Sequence, residues 1–266
     1  MADADWVRYK QIRGQDLPET LNWNGRVYHR LRVLKRDFYA AVGIYQPTIG
    51  PGREPDHATP PILYKRYHAD RFGIIPLGWL GRYLCRREIH FLRRLSDVPG
   101  VPSFREQVAD TAFVREYVPG CNLREYSREH TPDSAFFPEL YSILQAVHQR
   151  GISHNDLSKP ENILVTEAGR PVLIDFQIAL DFRGRSIPMI GTLVKTLMGY
   201  FQRVDRYHLT KIHRRRRPMD FAPEEIEKAR KKGWLLHLHG HLRRPYRAVR
   251  HRVLKRLTVE TPTETG

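Results

Sequence analysis

No stretch of this chain stays apolar for the roughly 18 residues that a membrane-spanning helix requires. The longest candidates, around Phe72–Leu80 and Met189–Phe201, are interrupted by Gly, Pro, Lys or Arg. The N-terminal MADADWVRYK lacks the basic-then-apolar layout of a secretory signal. Cysteine is scarce: Cys85 and Cys121 are the whole complement, and they form neither a CxxC pair nor a disulfide pattern. Two buried thiols in a reducing cytosol is the expectation. No internal repeat with a period of about 20–50 residues is present, which excludes solenoids and propellers. The one His-rich run, His237-Leu238-His239-Gly240-His241, has no Cys or carboxylate beside it. A packed or solvated turn is favoured there over a metal site.

What is present is enough apolar material, 41% of 266 residues, for one large or two small cores. The formal charge of +16 is unevenly spread. Between Lys211 and Arg256, 16 Lys and Arg stand against 4 Asp and Glu, so about three quarters of the excess lies in the last quarter of the chain. The preceding body is near neutral. Such a basic block favours an anionic partner: a phosphorylated lipid, a membrane surface or nucleic acid.

Local patterns give a coarse element order. Residues 1–25 are polar and irregular. Tyr28–Tyr45 reads as two strands and a turn, residues 46–60 as a Pro- and Gly-rich loop, and Pro61–His68 as a strand. Leu77–Leu95 reads as a helix, with Leu77, Leu80, Leu84, Phe91, Leu92 and Leu95 on one stripe. Glu88 falls on that stripe, where an acid requires a cationic partner, unless it sits at the boundary and reaches water. Val98–Pro102 is a turn, and Phe113–Val118 is a strand running into Pro119-Gly120. Phe136–Gln149 is a helix that presents Leu140, Tyr141, Leu144, Val147 and His148 on one face and ends at Arg150-Gly151.

The segment from Ile152 to Asp175, ISHNDLSKPENILVTEAGRPVLID, carries the chemistry. A polar loop from His154 to Glu161 leads into Asn162–Val165, a turn at Ala168-Gly169, and Val172–Asp175. This is a hairpin pattern. With the turn centred between Ala168 and Gly169, Asn162 and Asp175 face each other at its open end, and Asp156 arrives there from the loop. Two oxygen ligands beside a third carboxylate suit phosphoryl transfer. Mg²⁺ accepts a few protein oxygens together with phosphate oxygens, and a nearby Asp can take or orient the attacking hydroxyl. The plain alternative is an ordinary polar hairpin end.

His154-Asn155-Asp156-Leu157 with the later Asn162 resembles the H-R-D catalytic loop of protein kinases, and Asp175-Phe176-Gln177 resembles their D-F-G. The resemblance covers roughly residues 26–200. It implies a two-lobed α+β protein-kinase-like fold, with a small N-terminal sheet lobe over residues 26–118 and a reduced helical lobe over 119–210. Residues 211–266 then form a basic helical extension. It also implies ATP between the lobes, Asp156 as catalytic base, and Asn162 and Asp175 as Mg²⁺ ligands. Lys65, in Ile62-Leu63-Tyr64-Lys65, resembles the strand lysine that contacts ATP phosphates, and Glu88 the helix glutamate that pairs with it. Glu116-Tyr117-Val118 resembles the hinge, placing Glu116 and Val118 beside adenine.

The departures from that pattern are specific. The glycine-rich loop is replaced by a stretch beginning Lys35-Arg36-Asp37-Phe38, where Lys35 and Arg36 either contact phosphate through their side chains or form a solvated turn. Asn162 follows Asp156 by six positions instead of the family's five. If Ser158 is the insertion, Lys159-Pro160-Glu161-Asn162 aligns with K-P-E-N, and Lys159 neutralises the transferring phosphate. Gln177 replaces the last glycine of D-F-G, and no A-P-E follows. These features resemble the compact, atypical kinases, namely the RIO family and the bacterial lipopolysaccharide-core sugar kinases. The implied acceptor is a protein Ser/Thr or a glycolipid sugar.

Two rivals stand beside this reading. The missing glycines, longer loop and Gln177 suit a catalytically weak pseudokinase scaffold, although no charged catalytic position is lost. A nucleic-acid-binding module built on the tail would leave Asp156, Asn162 and Asp175 unexplained, and the tail has few aromatics for base stacking. Within the tail, Pro223, Glu224 and Glu225 mark a helix start. Leu242, Tyr246, Val249, Val253 and Leu257 form an apolar stripe among Arg and Lys. That helix either packs on the body or lies on an anionic membrane, which would make a cytoplasmic protein peripheral to the inner face.

Overall fold

The structure, a computed structural model, describes residues 8–9, 17–36, 39–49, 54–68, 71–72, 75–76, 78–181, 191–225 and 258–259. The tail stripe Leu242–Leu257 and the His237–His241 run lie outside the described residues. Among those described, no helix is long and apolar enough to cross a membrane. The chain divides into two units: residues 1–86, 105–117 and 231–266, and residues 87–104 and 118–230.

The first unit is built on an antiparallel sheet. Its strands run in the order Thr20–Trp23, Arg26–Arg36, Ala40–Ile49, Ile62–Tyr67, Ala112–Glu116 and Phe104–Ala109. Tyr28, Ala41, Tyr45, Ile62, Tyr64, Ala112 and Val114 form its core with Leu17. Burying a large apolar side chain is worth roughly 1.5–3 kcal/mol, so this cluster outweighs the few polar groups it encloses. One of these is satisfied, because Tyr45 Oη donates to the carbonyl of Pro18 at 2.7 Å.

The expected loop at 46–60 is partly strand. Ala40–Ile49 continues through Gln46–Ile49, and Glu54–Pro55 pairs back on Thr48 and Ile49. Asp56 closes the segment. Its carboxylate accepts from the N–H groups of Ala58 and Thr59, the Thr59 hydroxyl at 2.7 Å and the Arg26 guanidinium at 2.6 Å. The Pro and Gly content hid a hairpin end fastened by one side chain.

Helix α1 (Gly78–Arg94) matches the stripe at Leu77–Leu95 to within a residue at each end. Gly81 sits so close to the chain at His68 that a Cβ would come within 2.4 Å of the His68 carbonyl oxygen. Only glycine lets the helix approach there.

The second unit holds helix α2 (Leu123–Tyr126), helix α3 (Phe136–Gln149) and helix α4 (Gly191–Arg216). It also holds a three-stranded sheet, Gly120–Asn122, Ile163–Thr166 and Pro171–Leu173, and a two-stranded ribbon, Ile152–Ser153 with Leu180–Asp181. Helix α3 buries Phe136, Phe137, Leu140, Ile143, Leu144 and Val147, and Gly151 at φ +71° follows its end. Helix α4 continues across residues 210 and 211, where the charge pattern changes.

Candidate phosphoryl-transfer site

The catalytic-loop residues are held by a carboxylate that the motif does not contain. Asp205, on α4, is fully buried. Its Oδ2 accepts from Ser153 Oγ at 2.7 Å, from the His154 N–H at 2.8 Å and from His148 Nε2 at 3.1 Å. Its Oδ1 accepts from the Asn155 N–H at 2.8 Å. Burial pushes this carboxyl's pKa upward, but the His148 bond, the nearby His154, the Ser153 bond and the Asn155 N–H outweigh it, and the net shift is down. Asp205 is thus a buried anion surrounded by donors, and it fixes the backbone just before Asp156.

Sequence reasoning missed Asp205, although a signal exists. Asp205 lies four residues before Leu209 and seven before Ile212, both buried, so it falls on the apolar stripe of α4. The argument that singled out Glu88 applies equally to it.

His154 ties this loop to the hairpin. Its Nδ1 accepts the Asp156 N–H at 3.3 Å, so the proton resides on Nε2, which donates to the Ile174 carbonyl at 3.0 Å. Its ring lies against Phe176, 4.7 Å between centroids. Asn155, at φ 62°, takes the left-handed turn that swings Asp156 inward. Asn tolerates that conformation better than most residues.

Asp156, Lys159 and Asn162 are brought together. Lys159 Nζ is 2.6 Å from Asp156 Oδ2, and Asn162 Nδ2 donates to the same oxygen at 3.0 Å and to the Asp156 carbonyl at 3.1 Å. Asp156 and Asn162 are buried, whereas the Lys159 side chain is half exposed. The six-residue spacing closes as two consecutive three-residue turns. The Lys159 N–H donates to the Asp156 carbonyl at 3.3 Å, and the Asn162 N–H to the Lys159 carbonyl at 3.1 Å. The extra residue is absorbed without separating Asp156 from Asn162.

The hairpin register differs from the expected one by a single residue. Ile163 faces Leu173, Leu164 faces Val172 and Val165 faces Pro171. Asn162 is therefore aligned with Ile174, whose N–H donates to the Asn162 carbonyl at 3.0 Å, and not with Asp175. The turn holds three residues, Glu167, Ala168 and Gly169, between Thr166 and Arg170, with Gly169 at φ +74°. A three-residue loop ending in a left-handed glycine shifts the pairing by one. Asp175 follows directly after Ile174 at φ 68°. It remains next in line to Asn162 at the open end of the hairpin.

Magnesium suits this donor set. The Asn162 amide nitrogen is engaged by Asp156, so its oxygen would be the ligand atom, and Asp175 would add a carboxylate. Among the described residues no group of three or more His, Cys, Asp or Glu side chains is arranged to hold a metal. A hard cation that takes two protein oxygens and completes its shell with phosphate and water needs no such group.

The remaining sequence-predicted residues fall as follows. Lys65 lies in Ile62–Tyr67, paired between Val42 and Phe113, buried, with its Nζ 5.2 Å from the Tyr67 ring centroid. Lys35 and Arg36 end the strand Arg26–Arg36 opposite Val42 and Ala41, with Lys35 exposed. Glu116 pairs with Ile62, and the boundary between the units falls between Tyr117 and Val118. Glu88 is buried at 2% exposure on α1, within the second unit.

No protein-family model matches the chain. It is 39% identical over 103 residues to CBL-interacting protein kinase 12 of Oryza sativa subsp. japonica, an alignment covering 36% of this chain and 19% of that protein. It is 30% identical over 115 residues to the probable serine/threonine-protein kinase PknB of Lactococcus lactis subsp. lactis, covering 41% and 18%. The chain thus spans about a fifth of the length of these relatives. Among solved structures it aligns with the Rio2 kinase from Chaetomium thermophilum at a TM-score of 0.48 and 16% identity, over 70% of this chain and 58% of that one. The sheet followed by α1, the loop around Asp156 and the hairpin ending at Asp175 give the chain a mixed α+β fold, and over 103–115 residues its sequence is similar to serine/threonine protein kinases.

Proposed function

We propose that this chain is an ATP-dependent kinase that moves the γ-phosphoryl group of ATP to a hydroxyl, a protein Ser or Thr being the acceptor that its relatives' names favour over a glycolipid sugar. The observation that carries the reading is the buried Asp156 carboxylate, fixed by Asn162 and Lys159 on Oδ2. That leaves Oδ1 for an acceptor hydroxyl.

In the step, the bond from the γ-phosphorus to the β–γ bridging oxygen breaks, and ADP leaves with that electron pair. The acceptor oxygen forms the new bond to phosphorus, and its proton passes to Asp156. Lys159, with its ammonium 2.6 Å from Asp156, offsets charge on the transferring oxygens. Lys65 holds phosphates, and Lys35 and Arg36 add positive charge. Asn162 and Asp175 would hold Mg²⁺, which when bound would neutralise phosphate oxygens. Catalysis is chiefly positioning, which is what the Asp205 bonds provide.

The test is label transfer from γ-labelled ATP with Mg²⁺, comparing wild type with Asp156→Asn on generic protein and on lipopolysaccharide core. Transfer by wild type that vanishes in the variant supports a kinase, and the labelled acceptor names its class. No nucleotide binding and no transfer would sink the reading in favour of an inert scaffold.

A further inference from the structure

Helix α1 carries an exposed stripe that neither the core nor the phosphoryl-transfer site uses. Trp79 is 60% and Tyr83 53% exposed, and Arg82, Arg86 and His90 are exposed as well, with the His90 Nε2 3.1 Å from Asp181 Oδ2. Spacings of three and four residues put all five on one side of the helix. The opposite side buries Cys85, Glu88, Ile89 and Leu92. From Arg71 through Arg87 the sequence contains four Arg and no Asp or Glu. That segment also contains the whole of Phe72–Leu80, one of the two longest apolar runs in the chain. The backbone of Arg71–Phe72 pairs with Ile75–Pro76 as a tight ribbon leading into α1.

An exposed Trp and Tyr are unfavourable in water, and a purely electrostatic partner would not need them. Indole and phenol rings favour the boundary between lipid headgroups and acyl chains, and arginines beside them favour anionic headgroups. An acidic peptide would satisfy the arginines but bring nothing apolar to the two exposed rings. Single-stranded nucleic acid would stack on the rings, but an isolated helix face offers no groove to track a phosphate backbone.

We propose that the Trp79–Arg82–Tyr83–Arg86 face of α1 docks on an anionic membrane surface, with Trp79 at the headgroup boundary. This contact uses residues outside the basic tail and does not depend on the kinase reading.

The test uses the full chain and vesicles of phosphatidylcholine with or without phosphatidylglycerol. Sedimentation is combined with quenching of tryptophan fluorescence by brominated lipid. The expected result is pelleting with the anionic vesicles alone, and quenching that disappears in Trp79→Phe. Arg82→Gln with Arg86→Gln should weaken vesicle affinity by about tenfold or more, since each cation near such a surface contributes severalfold. Replacing Arg214 to Arg217 with Gln should leave the quenching in place. The proposal fails if no pelleting occurs, if Trp79→Phe leaves the quenching unchanged, or if the tail substitutions alone abolish binding. Binding to an oligonucleotide that excludes vesicles and is lost in Trp79→Phe would assign the face to nucleic acid instead. Circular dichroism of each variant identifies loss of fold, and any unfolded variant is replaced by Tyr83→Ser as the reporter.

Discussion

The loop around Asp156 and the hairpin carrying Lys35 and Arg36 both supply charge to phosphate chemistry in the proposed function, yet they are built on opposite plans. The loop is buried, and its backbone is bonded to Asp205 while its side chains are bonded to one another. The hairpin has its cations at a strand end, with Lys35 exposed. The difference shows where placement must be accurate. A proton acceptor works only within a few tenths of an ångström, so it is locked from below by α4. A cation that screens phosphate works over several ångströms, and a long side chain at a strand end suffices. The glycines missing from this hairpin are consistent with that looser task.

The comparison breaks if removing a loop group does no more harm than removing a hairpin group. Asp156→Asn should lower phosphoryl transfer by about 10²–10⁴-fold while nucleotide binding persists, as read by labelled ATP and by fluorescence titration. Asp205→Ala should come next. It strips four donors of their acceptor, and breaking a buried charged hub costs about 3–5 kcal/mol, visible in urea unfolding. Asp205→Asn should cost less stability than Asp205→Ala but more than nothing, because one amide oxygen cannot serve donors on both sides. Lys65→Met should reduce kcat/KM for ATP by about 10²-fold, comparable to losing one preorganised charge-stabilising contact. Lys35→Ala with Arg36→Ala should raise the KM for ATP only severalfold, with a deficit that shrinks at high salt because exposed charges are screened. A double variant as damaging as Asp156→Asn would reverse the comparison.

A smaller effect is expected with acid. The Asp205 carboxyl titrates in the fold below its ordinary value of 3.8. Its contribution is therefore complete above the unfolded value and is lost as pH falls through the folded one. Asp220, lowered to about 2 by Arg217 and His213, acts in the same direction. Unfolding midpoints measured from pH 6 down to pH 2 should fall, and Asp205→Asn should flatten part of that slope.

Much of this arrangement was legible in the sequence because the site residues are close together in the chain. Asp156, Lys159 and Asn162 lie within seven positions, and the stripe of α1 placed its ends to within a residue. What escaped depends on long separations or on turn geometry. Asp205 is 49 positions from Asp156, and nothing local marks it except its place on an apolar stripe. The one-residue error in the hairpin came from counting a two-residue turn where Gly169 makes a three-residue one. The strand Phe104–Ala109 has no clean alternation of buried and exposed positions, so period-two patterning could not find it. In the sequence, Gly120 stands only as part of the Pro119-Gly120 pair that ends the strand Phe113–Val118. It is instead the start of a strand so close to its neighbour that a Cβ would sit 2.2 Å from the Val165 carbonyl oxygen.

The bonds from Asp205 to the amides of His154 and Asn155 also set a clock. A buried amide proton held by a carboxylate on another helix exchanges with solvent only when that contact opens. Departure of α4 and release of the loop before Asp156 are then one event, so the slowest-exchanging loop amides should report how often the chain visits a form that has kept its sheet but lost the arrangement around Asp156.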